Sequence, residues 1–136
     1  MLPRWPSILM LSGSLGAIAA AFILEPDPRG FGTHEQLWLP PCGFLETMGK
    51  PCPLCGVTTS FCHLLRGHLL TSLMLHPFGT LFGLCVLVVP FVAVLALKHR
   101  RPFFPTWLLH QWHWAVLSGG FLLAISWCYT IARYTR

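Results

Sequence analysis

The sequence predicts an all-α membrane protein with about three transmembrane helices, an amphipathic interfacial or re-entrant helix, and a Pro/Gly-rich loop that carries cysteines. Three observations predict it. Hydrophobic residues make up 54% of the 136-residue chain and charged residues 10%, where a soluble domain carries roughly 25% charged residues. The few charges are clustered, which leaves long neutral runs of the length a bilayer needs. All four acidic residues, Glu25, Asp27, Glu35 and Glu46, fall in one stretch crowded with prolines and glycines.

The length suits one domain, read as a single membrane domain over residues 1–136. The net charge of +5 does not point to nucleic acid. Lys98, Arg100, Arg101, Arg133 and Arg136 flank apolar runs, where membrane proteins place cations, and no basic helix or aromatic-rich nucleic-acid motif is present. The expected partner is the lipid bilayer, with room for a membrane-protein partner. The expected location is the cell (inner) membrane, as a multi-pass protein.

The first span is placed at about residues 5–24. Ser12 and Gly16, and Gly13 and Ala17, are four apart, a spacing that lets helix backbones approach closely in lipid. Arg4 and the Ala-rich end also suit a secretory signal peptide, but the apolar run is long for an h-region, so an uncleaved span is expected. Residues 25–57 form a loop. Its many prolines and glycines exclude a long helix, while Phe31, Trp38, Phe44 and Met48 argue for order at the membrane surface. Residues 58–75 read as one amphipathic helix, capped by Thr58 or Thr59. Phe61, Leu64, Leu65, Leu69, Ser72, Leu73 and His76 lie near one face and Thr59, His63 and Arg66 near the other, where His63 and Arg66 read as a solvated face. Arg66-Gly67-His68 interrupts the apolar character midway.

His76-Pro77 then breaks the chain. The second span covers about residues 78–97, with Gly79 and Gly83 spaced for close packing and Pro90 expected to kink it. Lys98–Arg101 ends it, and Pro102 and Pro105 make a turn. The third span covers about residues 110–131, belted by Trp107, Trp112 and Trp114 at one end and by Trp127, Tyr129 and Tyr134 at the other. The cation cluster orients toward the cytoplasm, which places the cysteine loop outside; Arg133 and Arg136 pull the other way.

The chemistry lies in Cys52-Pro53-Leu54-Cys55-Gly56. Two cysteines in a tight turn can hold a metal, form a redox dithiol or staple a loop. Gly56 suits the left-handed backbone that follows a second ligand. A structural zinc needs four ligands, and Cys42 and His34 complete a set with Cys52 and Cys55; Glu35 or water are substitutes for the fourth. Zinc is thus the cofactor expected at this site. The same CPLC dithiol at a helix start also suits a membrane thiol-disulfide oxidoreductase, although no thioredoxin-like βαβ pattern surrounds it. A plain disulfide or buried thiols complete the alternatives. Cys85 and Cys128 lie inside spans and act as small apolar residues. His110 and His113 are three apart, but at a Trp-rich interface they read as polar edge residues. No Ser-His-Asp set, carboxylate pair or phosphate loop is evident.

Taken together, Gly32-Thr33-His34, Leu39-Pro40-Pro41-Cys42-Gly43-Phe44, Gly49, the run Cys52-Pro53-Leu54-Cys55-Gly56-Val57-Thr58-Thr59, Leu65-x-Gly67 and His76-Pro77-x-Gly79 resemble the bacterial family called domain of unknown function 2752. The likeness covers roughly residues 34–79. Thr59 stands where many members have an arginine. The resemblance implies a small multi-pass membrane protein without an assigned activity. It singles out His34, Cys42, Cys52, Cys55, Gly56, Thr58, Gly67 and Pro77.

Overall fold

The computed structural model describes residues 5–99 and 110–134. It contains α1 (Trp5–Ile23), a short 3-10 helix (Thr33–Leu37), α2 (Gly43–Met48), α3 (Val57–Leu65), α4 (Leu69–Leu75), α5 (Pro77–Lys98) and α6 (Trp112–Tyr134), with no strand among the described residues. Arg4, Arg100 and Arg101, the turn at Pro102 and Pro105, Trp107 and Arg136 lie outside the described residues.

Among the described residues, three helices are long and apolar enough to cross a membrane: α1, α5 and α6. The 22 residues of α5 reach about 33 Å at about 1.5 Å per residue, close to the roughly 30 Å of a hydrocarbon core. The chain is therefore a membrane protein whose long apolar helices meet lipid. Helix α5 is continuous through Pro90.

Helices α1 and α5 pack against each other, burying Ser7, Ser14 and Ala21 on α1 and Ala93 and Ala96 on α5. The C-terminal end of α1 meets the N-terminal half of α5, since Ala21 and Leu24 share a cluster with Val86 and Leu87. The buried face of α1 is not the stripe that the sequence suggested. A side chain at Gly13 or Gly16 would meet nothing within 4 Å. Small residues permit close approach but do not specify which face makes it.

On α5 the spacing of small residues does mark the contact. A Cβ at Gly83 would meet Phe61 at 2.6 Å and Leu64 at 3.0 Å, and one at Gly79 would collide with the Ser60 hydroxyl and sit 2.9 Å from the Val57 Cα. These glycines seat α3 directly on α5.

The expected single helix at 58–75 is instead two. Gly67 adopts φ +80, in the left-handed region that ends helices, and the chain reverses there. Helix α4 returns beside α3, with the Ser72 hydroxyl donating to the Ser60 carbonyl at 2.7 Å. The result is a short helical hairpin set against the first turns of α5. Thr58 and Thr59 do not cap α3. Gly56 occupies the N-cap position, with no side-chain cap bond, and Thr59 lies fully buried one turn in.

Arg66, expected on a solvated face, has its guanidinium bonded to backbone carbonyls. It donates to Leu24 at 2.8 Å, Cys62 at 3.1 Å, and Ala21 and Phe22 at 3.3 Å each. The last carbonyls of a helix lack intrahelical partners and carry partial negative charge. One cation at the hairpin tip therefore closes the end of α1.

Candidate metal centre

The turn that presents the cysteines is held by its own backbone. The Cys55 N–H donates to the Cys52 carbonyl at 3.0 Å and the Val57 N–H to the Leu54 carbonyl at 3.1 Å. Gly56 takes φ +95, and a Cβ there would approach the Gly30 carbonyl oxygen to 2.9 Å. Both the backbone angle and the close neighbour require glycine. The third cysteine arrives from the other side of the loop. Cys42 precedes α2, and its carbonyl accepts the N–H groups of Leu45 and Glu46 at 2.9 and 3.1 Å. Gly49, at φ 64, ends that helix after six residues, and the chain turns back to Pro51, which is buried.

The three sulfurs converge. The Sγ atoms of Cys42, Cys52 and Cys55 all lie within 4.8 Å of one another, and those of Cys52 and Cys55 are 3.3 Å apart. A tetrahedral site with metal–sulfur bonds of about 2.3 Å has sulfurs about 3.8 Å apart, whereas a disulfide needs about 2.05 Å. All six cysteines are free thiols. The triad is positioned to hold a metal ion.

The protein treats the thiols of Cys42 and Cys55 differently. Burial opposes ionisation of Cys42, but the amide dipoles of Leu45 and Phe44 and the thiols of Cys55 and Cys52 outweigh it and bring Cys42 down to about 7. Burial pushes the Cys55 thiol up, and so do its hydrogen bonds with Cys52 and Cys42. Thiolate is the form that binds metal, so the half-buried Cys42 is the easiest of this pair to ionise.

His34 is not a member of the group. It sits on the 3-10 helix (Thr33–Leu37), which is anchored elsewhere. The buried Thr33 hydroxyl is 2.8 Å from that of Thr59 and accepts the Asp27 N–H at 3.1 Å. Glu35 is likewise engaged, accepting from Arg29 at 3.0 Å. Of the sequence-derived ligands, the fold brings three together and leaves His34 on a separate support.

His76 is the residue that sequence reasoning missed. It has no exposed surface and ties the cysteine turn to two spans. Its Nδ1 accepts the Gly79 N–H at 3.0 Å and lies 3.1 Å from the Ser126 hydroxyl, while its Nε2 lies 3.1 Å from the Pro53 carbonyl. An N–H can only donate and a carbonyl can only accept, so the proton is on Nε2. Burial lowers the His76 pKa, against the Pro53 carbonyl, which favours the charged ring. The neutral ring fits the site, because a second proton would face the Gly79 N–H. Its sequence signals were its place beside the Pro77 break and in the His76-Pro77-x-Gly79 motif, and neither named a partner.

Helix α6 supplies a second brace. The Trp127 indole donates to the Pro51 carbonyl at 2.9 Å, and its ring meets Phe44 edge-on at 6.3 Å. A tryptophan expected only to belt the interface therefore clamps both arms of the cysteine loop.

Residues 42–95 match the model of a family described as Protein of unknown function (DUF2752), the family that the motifs resemble. The match takes in the cysteine triad, the helical hairpin and His76. Comparison with curated proteins and with solved structures gave no match.

Proposed function

We propose that Cys42, Cys52 and Cys55 hold a zinc ion that fastens the loop to the membrane-spanning helices, and that the protein serves as a membrane accessory or scaffold whose surface is shaped by this site. The observation that carries the reading is the convergence of three sulfurs from two arms of a loop. Zinc suits a thiolate-rich tetrahedral set and needs no redox change. The fourth position is assigned to solvent, since Cys42 and Cys52 are only partly buried and His34 stands on its own support. Bound metal would make thiolates of all three cysteines and tie the Cys42 arm to the hairpin, which is how a small site contributes folding energy.

Metal analysis of protein purified without chelator tests this. One zinc per chain is expected, falling to background in Cys52→Ser and unchanged in His34→Ala. Metal far below one per chain would sink the proposal.

One observation favours a second reading. The 3.3 Å approach of Cys52 and Cys55 suits a dithiol that closes to a disulfide, as in a membrane thiol-disulfide oxidoreductase. That reading requires the pair to cycle. Mild oxidation of metal-free protein should then protect Cys52 and Cys55 together from subsequent alkylation. A pair that stays reactive throughout argues against it.

A further inference from the structure

Beside the cysteine triad lies a cavity of about 410 Å³, within the size range of small-ligand pockets. Arg29 and Arg133 line it, together with Phe31, Leu75, Tyr134 and Cys55, and among the described residues no acidic side chain does. We propose that this cavity binds a phosphate-bearing headgroup of an anionic lipid.

Four features support the assignment. The first is charge. Among the described residues, the ion pairs are those of Arg29 with Asp27 and Glu35. Arg133 instead donates through Nη1 to the Met74 carbonyl at 2.8 Å, which fixes the side chain, and it forms no ion pair among the described residues. The second is preorganisation. Arg29 is held by bonds from Nε and Nη2 to two carboxylates and lies 5.5 Å over the Phe31 ring, while its Nη1 takes part in none of these bonds. A guanidinium fixed in this way presents planar donors matched to phosphate oxygens.

The third is position. Arg133 and Tyr134 are the last residues of the span α6, so the cavity opens where that helix ends and headgroups lie. The fourth is its mixed lining. The Phe31 and Tyr134 rings meet edge-on at 6.0 Å, and Leu75 adds an aliphatic wall. These apolar groups suit the glycerol and first acyl carbons of a lipid better than they suit a bare inorganic ion.

The test uses the full chain in nanodiscs of equimolar phosphatidylglycerol and phosphatidylcholine, with retained lipids counted by native mass spectrometry. We expect phosphatidylglycerol to be enriched about ten-fold, the scale of one charge-assisted hydrogen bond. Arg133→Gln should bring the two lipids close to parity, and Arg133→Lys should keep most of the preference. Tyr129→Phe is the control, since the Tyr129 hydroxyl also donates to the Met74 carbonyl but carries no charge; its preference should equal that of wild type. Equal retention of both lipids by the wild-type protein would overturn the proposal without any variant, and so would an unchanged preference in folded Arg133→Gln. Addition of glycerol 3-phosphate separates the sources of the phosphate. Resistance to displacement assigns the site to lipid, whereas displacement at millimolar concentration assigns it to a soluble phosphate ester and overturns the lipid proposal.

Discussion

The two ends of the helix assembly are built on different principles. At the end that carries the cysteines, buried polar groups are paired across elements distant in sequence. Thr33 meets Thr59, Ser72 meets Ser60 and Thr80, and His76 meets Pro53, Gly79 and Ser126. Toward the other end, α6 is exposed from Trp112 to Ser118, and neither Gly119 nor Gly120 has anything near a would-be Cβ. Lipid is as apolar as leucine, so hydrophobicity does not select one helix packing over another in a bilayer. An unpaired polar group in lipid costs several kcal/mol, so buried hydroxyls and a buried imidazole do select one. The cysteine end is specified by hydrogen bonds and close glycine contacts, whereas the far end of α6 is specified mainly by length and apolarity.

The most severe way to break this contrast is His76→Phe. It leaves the Gly79 N–H, the Pro53 carbonyl and the Ser126 hydroxyl without their imidazole partner. At about 1–3 kcal/mol for each orphaned buried group, thermal melting in detergent should register a loss on the order of 3 kcal/mol. A comparable loss from Trp112→Ala, at the exposed end of α6, would erase the distinction between the two ends.

Glycine substitutions sharpen the contrast on a smaller scale. Gly83→Ala forces a methyl against Phe61 and Leu64 and should cost about 1–3 kcal/mol, the usual range for overpacking. Gly13→Ala and Gly16→Ala meet nothing in the chain and should stay within about 0.5 kcal/mol. If both classes behave alike in the same melting assay, the hairpin is not seated on α5 as described.

The smallest expected effect lies at the rim of the loop. Arg29 bonding holds the Asp27 carboxyl below its ordinary value, with burial opposing. A depressed folded-state pKa contributes stability that is present above the unfolded value of about 3.9 and is lost as pH falls through the folded value. With Arg29 half-exposed, solvent screening limits the contribution to below about 1 kcal/mol. Asp27→Asn should therefore lower the melting temperature slightly at neutral pH and remove a small acid-dependent step below about pH 4. An unchanged acid profile would show that the loop rim contributes nothing to the stability of this end.

The sequence by itself determined the span count and the presence of a cysteine turn at a helix start. Both are local properties: twenty apolar residues are a span wherever they occur, and Cys-Pro-x-Cys-Gly closes its turn through bonds between residues three apart. The break at Arg66-Gly67-His68 was visible as a lapse in apolar character, but not as a reversal, because composition does not report the sign of a φ angle. Tertiary structure alone decided that Cys42 joins the pair while His34 stays apart, since proline and glycine fix where a loop can bend and not where its arms arrive. It alone decided the role of His76, whose bond to Ser126 spans 50 positions. A lone histidine or serine in an apolar chain carries no mark of its partner; only packing brings the two within hydrogen-bonding distance.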